Sequence, residues 1–177
     1  MKLYIFVIFT LLITSCIKKR ETIDYTDLAI VNEIRKNVFL KLKKETDLYP
    51  CGAGGQMMHE IQLLACSFNY YHEVDINQAR ELLLKAGNVF LKEINESEKI
   101  RPYLANYPFK PENIEIAIFV YNSDGSDQSL EKLRVITLWK GVLSYKIGIL
   151  DSQDFRTQIY EETYEEAMAK INDLSRI

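Results

Sequence analysis

Read for its alternation of apolar and polar positions, the chain opens on a nearly unbroken apolar run, LYIFVIFTLLI from Leu3 to Ile13, and then turns periodic. Over TDLAIVNEIRKNVFLKLKKETDLYP, Ile30, Ile34, Val38 and Leu42 recur at four-residue spacing. Thr26 is placed to cap this helix, and Pro50 with the glycines of PCGAGGQ to end it as a connector. The stretch MMHEIQLLACSFNYYHEV satisfies both the helical and the alternating template. Its aromatic residues Phe68, Tyr70 and Tyr71, with Val74, favour a strand. A helix follows Asp75, with Gln78 at capping-box spacing and Ile76, Ala79, Leu82, Leu83, Ala86, Val89, Phe90 and Ile94 on one broad face.

The second half alternates with period two. Ile114, Ile116, Ile118 and Val120 fall on one side of NIEIAIFVY. LEKLRVITLW and VLSYKIGIL flank Lys140-Gly141, the length of a tight hairpin turn, which makes Thr137 and Ser144 cross-strand neighbours. Ile136 and Leu138 then share a core face with Leu143, Tyr145, Ile147 and Ile149. FRTQIY reads as a further strand, and Thr163 with Glu166 as the capping box of a last helix striped by Tyr164, Ala167, Met168, Ile171 and Leu174. The order predicts an α+β fold over residues 27–177 as one domain: a mainly antiparallel sheet of four to five strands with two to three helices packed on it.

Charge and composition exclude more than they assign. The net charge is −3, and residues 1–15 hold one of the 22 basic side chains and none of the 25 acidic ones. The remainder is therefore acidic, without the basic footprint of a nucleic-acid partner. A chain of 177 residues is long enough to bury roughly two thirds of its unfolded surface without staples.

The opening run has the parts of an export signal: Lys2, the apolar stretch, then Thr14 and Ser15. It is shorter than the about 20 apolar residues of a spanning helix, and Lys18, Lys19 and Arg20 directly after it oppose a permanent span. Ile13, Thr14, Ser15 and Cys16 resemble the lipobox of bacterial lipoproteins, with Ser15 standing where Gly or Ala is commoner. The resemblance implies a signal peptide over 1–15, a diacylglyceryl group on the Cys16 thiol, and a lipidated terminus and tether over 16–26. The implied partner is the lipid bilayer, at the bacterial cell membrane or outer membrane, with the domain outside the cytoplasm. An ordinary secretory signal is the competing reading. Ile17 follows where an aspartate retains some lipoproteins in the inner membrane, which favours the outer one.

Candidate chemistry is sparse. With Cys16 lipidated, Cys51 and Cys66 remain, and in an oxidising compartment a bridge and two free thiols are equally open. His59, His72, Cys51 and Cys66 lack the spacing of a metal site, CGAGGQ lacks the lysine of a phosphate loop, and no serine sits in a nucleophile elbow. No metal or cofactor is called for. Glu161-Glu162 and Glu165-Glu166 read as capping and solvation at a helix start, and Arg35, Lys36, Lys41, Lys43 and Lys44 as a solvated helix face. The long connection EKIRPYLANYPFKPENIEI, stiffened by Pro102, Pro108 and Pro111, carries Arg101, Tyr103, Tyr107 and Phe109. Either these aromatics pack down over the long helix, or Arg101, Tyr103 and Tyr107 form a binding surface for an envelope protein or an anionic envelope component. The run from ARELLLKAGNVF through NIEIAIFVY resembles a group of small uncharacterised bacterial proteins, some of them lipoproteins, and implies no activity. The expected function is an envelope interaction or scaffold module, with a hydrolase acting on envelope substrates as the alternative.

Overall fold

A computed structural model describes residues 25–148 and 156–174. The predicted signal, Cys16 and most of the tether lie outside them. The elements are α1 (Tyr25–Thr46), β1 (Tyr49–Gln56), β2 (Leu63–Tyr70), α2 (Ile76–Glu96), β3 (Ile114–Val120), β4 (Leu133–Trp139), β5 (Val142–Gly148), β6 (Arg156–Thr163) and α3 (Tyr164–Leu174). Short 3-10 turns at Arg101–Tyr103 and Pro111–Asn113 punctuate the long connection.

The strands form one six-stranded sheet in sequential order, against an expectation of four to five. Four neighbouring pairs are antiparallel and β2–β3 is parallel, so the sheet is mixed. The parallel pair follows from α2: strands joined by a helical crossover enter the sheet from the same end, which a hairpin cannot do. The added strand is β1. Its glycine-rich YPCGAGGQ has low strand propensity and reads as a connector, yet it pairs with β2 along its length, with an irregularity at Cys51. At this sheet edge, backbone pairing overrides propensity.

The capping box of α2 forms as read, with Asp75 Oδ1 accepting from Gln78 N at 2.8 Å and Gln78 Oε1 from Asp75 N at 3.0 Å. Asp47, in the left-handed region at φ 55°, ends α1 before Pro50 is reached. The Lys140-Gly141 turn has φ 51° and 75°, the conformation of a type I′ hairpin, and Thr137 pairs with Ser144. The core lies on one face of the sheet. Phe68, Ile116, Ile118, Ile136, Leu138 and Leu143 meet Val38 and Leu42 of α1 and Leu83, Phe90 and Ile94 of α2 there, and all are buried. Arg35 corrects the reading of a solvated face on α1. It is buried, its Nη2 donates to the Gly54 carbonyl, and its Nε has no partner among the described residues.

β1 is close-packed at one glycine and open at the next. A Cβ on Gly55 would stand 2.5 Å from the Leu63 carbonyl, whereas one on Gly54 would meet only the Ala65 Cβ at 3.9 Å. Gly55→Ala is therefore expected to cost about 1–3 kcal/mol through the forced backbone shift. Gly54→Ala is expected to be neutral, or to gain up to about 1 kcal/mol from a less free unfolded chain. Equilibrium urea unfolding of the two variants checks the contrast.

Candidate functional site

The densest polar chemistry among the described residues is a cluster under the sheet that the sequence did not single out. Alternation along β6 turns Tyr160 and Glu162 toward the helices, and the pitch of α2 puts Arg80 on the face of Leu83, Leu84 and Gly87. Arg80 Nε donates to Glu162 Oε1 at 2.6 Å, and the Tyr145 hydroxyl donates to the same oxygen at 2.6 Å. Lys170 Nζ donates to Oε2 at 2.6 Å, the Tyr160 hydroxyl stands 3.3 Å from it, and Lys170 also donates to that hydroxyl. Asn77 Oδ1 accepts from Arg80 Nη1 at 2.6 Å. Glu162 is 4% exposed and Arg80 5%. The assignment of Glu162 to capping and solvation is thus overturned, while Thr163 and Glu166 do make the capping box, at 2.8 and 3.2 Å.

Burial pushes the Glu162 carboxyl up, but the hydrogen bonds from Arg80, Lys170 and Tyr145 outweigh it and hold the group below the usual carboxylate range. Burial, with the bond to Glu162, raises the Tyr145 phenol. A carboxylate with donors on both oxygens and a depressed pKa is a poor proton carrier near neutrality. What this arrangement does is tie α2, β5, β6 and α3 to one charge. The sequence held a faint signal in Arg80, a cation at i+4 from Ile76 and i−3 from Leu83 on an otherwise apolar stripe.

The binding surface read from the long connection divides. Phe109 and Ile100 are buried and Tyr103 packs half-buried against the core, so the sealing role holds for these three. Asn95 clamps the loop: its Nδ2 donates to the Phe109 carbonyl at 2.9 Å and its Oδ1 accepts from Phe109 N at 2.7 Å. Arg101 and Tyr107 stay outside, Tyr107 at 51% exposure, with the guanidinium 4.5 Å from the ring centroid. The structure brings these two together, while Tyr103 packs against the core.

Cys51 and Cys66 are free thiols, one exposed and one buried. Cys66 faces Ala53 across the strand pair while Cys51 sits at the irregularity, so a bridge would have to draw the Cys66 sulfur out of the core. Burial, opposed by the nearby Arg35 charge, pushes the Cys66 thiol up to about 12. His59 lies in the β1–β2 connection, and His72 lies past the end of β2, its ring 5.2 Å from that of Tyr70. Among the described residues no group of His, Cys, Asp and Glu gathers as metal ligands, and no helix is long and apolar enough to cross a membrane.

One open groove of about 560 Å³ gathers carboxylates, Glu45, Asp47, Glu73 and Glu81. Lys85 stands 2.6 Å from Glu45, and Lys132 pairs with Glu73. The hydrogen bond from Lys85 holds the Glu45 carboxyl below its ordinary value, the direction opposite to that of a general acid. Compared with known proteins, the chain matches no family model, no curated protein and no solved structure.

Removing one partner of a buried ion pair leaves the other uncompensated, so Glu162→Gln is expected to cost about 3–5 kcal/mol. Because the folded pKa of Glu162 is depressed, its contribution is fully present above the unfolded glutamate value near 4.3 and is lost as pH falls through the folded one. The wild-type advantage over Glu162→Gln in urea melts should therefore be flat from roughly pH 5 to 9 and shrink below about pH 4. In the Cys16→Ser chain, a thiol reagent should titrate Cys51 in the folded protein and Cys66 only after unfolding.

Proposed function

We propose that the chain is a bacterial lipoprotein held at the envelope by a lipidated Cys16, and that its domain is an interaction module that meets an anionic envelope component with Arg101 and Tyr107. The observation that carries this reading is the clamped loop. Asn95 and the buried Phe109 hold its base, so the Arg101–Tyr107 pair is presented on a support that is already ordered. Association then costs little further conformational entropy. Tyrosine supplies contact area with few rotatable bonds, and a guanidinium stacked on a ring keeps its donors directed outward at a carboxylate or phosphate. The lipobox residues support the anchor, since a diacylglyceryl group gives the two chains that stable attachment needs.

Detergent phase separation of the full chain and of Cys16→Ser tests the anchor. The native form should enter the detergent phase and the variant the aqueous one, and equal aqueous partitioning would end the lipoprotein reading. For the surface, Arg101→Ala with Tyr107→Ala in the Cys16→Ser chain should weaken retention on isolated envelope by about 2 kcal/mol, roughly thirtyfold, with unchanged thermal unfolding because both side chains are exposed. Unchanged retention would place the contact elsewhere.

A further inference from the structure

The strand registers gather several connections at one end of the sheet. Gln56 pairs with Leu63, Leu64 with Ile114, Glu115 with Trp139, Trp139 with Val142 and Val142 with Thr163. The β1–β2 connection, the loop from α2 to β3 and the Lys140-Gly141 turn therefore all leave from that end. Ile61 N donates to the Tyr103 carbonyl at 2.7 Å, which ties the first two together. Helices α1 and α2 run antiparallel, with Lys41 beside Glu93 and Lys85 beside Glu45, and Lys99 just past α2 lies 3.7 Å from Glu33. The start of α1 is thus at this end too, so the chain enters the domain where the three connections project.

Two of those connections carry a large exposed hydrophobic side chain, Met58 at 76% and Tyr107 at 51% exposure, and Trp139, the last residue of β4 beside the third, is 52% exposed. Two of the three hold a cation over the ring, Arg101 over Tyr107 and Lys140 over Trp139, each at 4.5 Å from the centroid. An exposed ring paired with a cation suits the boundary between acyl chains and phosphates, where the ring is half desolvated and the cation reaches a headgroup. Lys110 is exposed at the same end, and so are Glu60, Glu98 and Glu112, so the rings rather than net charge would supply most of the attraction.

We propose that this end of the domain seats on a phospholipid bilayer, with Trp139, Tyr107 and Met58 entering the headgroup boundary and Arg101 and Lys140 meeting lipid phosphates. The proposal rests on the reading of the chain as anchored through Cys16, and it names the bilayer surface itself as the anionic partner of Arg101. The nine backbone steps from Cys16 to Tyr25 span at most about 32 Å. That short reach keeps the local lipid concentration high enough for three individually weak side-chain contacts to be populated.

Trp139 is the single tryptophan of the chain, so fluorescence excited selectively in tryptophan reports on this end alone. The lipidated full chain is reconstituted in vesicles of phosphatidylethanolamine and phosphatidylglycerol, and the Cys16→Ser chain is titrated with the same vesicles. Trp139 emission should shift to the blue and be quenched by lipids brominated on the acyl chain. Tyr107→Ser with Met58→Ser in the Cys16→Ser chain should lower partitioning roughly tenfold. Flotation reports on the anchor and quenching on the docking. A chain that floats with Trp139 emission unmoved by brominated lipid keeps its anchor and overturns the docking. If the full chain does not float, the anchor reading fails, and the docking, which depends on the local lipid concentration the anchor supplies, is overturned with it. Concentration-dependent shielding of Trp139 from an aqueous quencher, without quenching by brominated lipid, would assign this end to a second copy of the chain and overturn it as well.

Discussion

A single buried carboxylate holds the two halves of this domain in one arrangement. Glu162 on β6 receives Arg80 from α2, 82 positions earlier in the chain, together with Tyr145 from β5 and Lys170 from α3. None of these polar groups can be buried alone without a large desolvation cost. Once Arg80 faces the sheet, a negative partner is required there, and β6 and α3 have one mutual placement that satisfies all the donors at once. A hydrophobic contact in the same place would tolerate sliding; this cluster does not, because each displacement leaves a charged group short of a hydrogen bond.

The second constraint is topological. A helical crossover between β2 and β3 makes that pair parallel, and with hairpin-type antiparallel neighbours on both sides it sorts the connections by end. Burial of one sheet face under α1, α2 and α3 leaves the long loop nowhere to go but over the end of the sheet. There Phe109 and Ile100 drop into the core and Arg101 and Tyr107 stay out. The exposed pair is thus a by-product of a packing requirement, carried on a loop whose base is clamped at Phe109 by Asn95. That clamp links the fold to the proposed role: a surface that needs little further ordering can work with few contacts, provided an anchor keeps its partner close.

Most of the elements were legible in the sequence because they announce themselves locally. The Asp75–Gln78 and Thr163–Glu166 boxes, the alternation of Ile114 to Val120 and the Lys140-Gly141 turn each depend on neighbours a few positions apart, and local hydrogen-bond geometry is what sequence spacing encodes. The resemblance of Ile13, Thr14, Ser15 and Cys16 to a lipobox is local in the same way, and it gives only an expectation about address that stands apart from the fold.

The rest needed the tertiary structure, because it arises from groups brought together over long separations. β1 is a strand since β2 offers it a free edge, although its own glycines argue for a connector. Arg35 is inside because α1 lies against β1, and periodicity alone puts it with the neighbouring lysines in water. Tyr103 and Tyr107, four residues apart and chemically alike, separate into a packed and an exposed residue. Glu162 looks in sequence like one more acid near a helix start; the fold makes it the centre of a charge cluster. Period and capping fix which residues form helices and strands, whereas the burial of a charge is decided by partners that only the packed chain supplies.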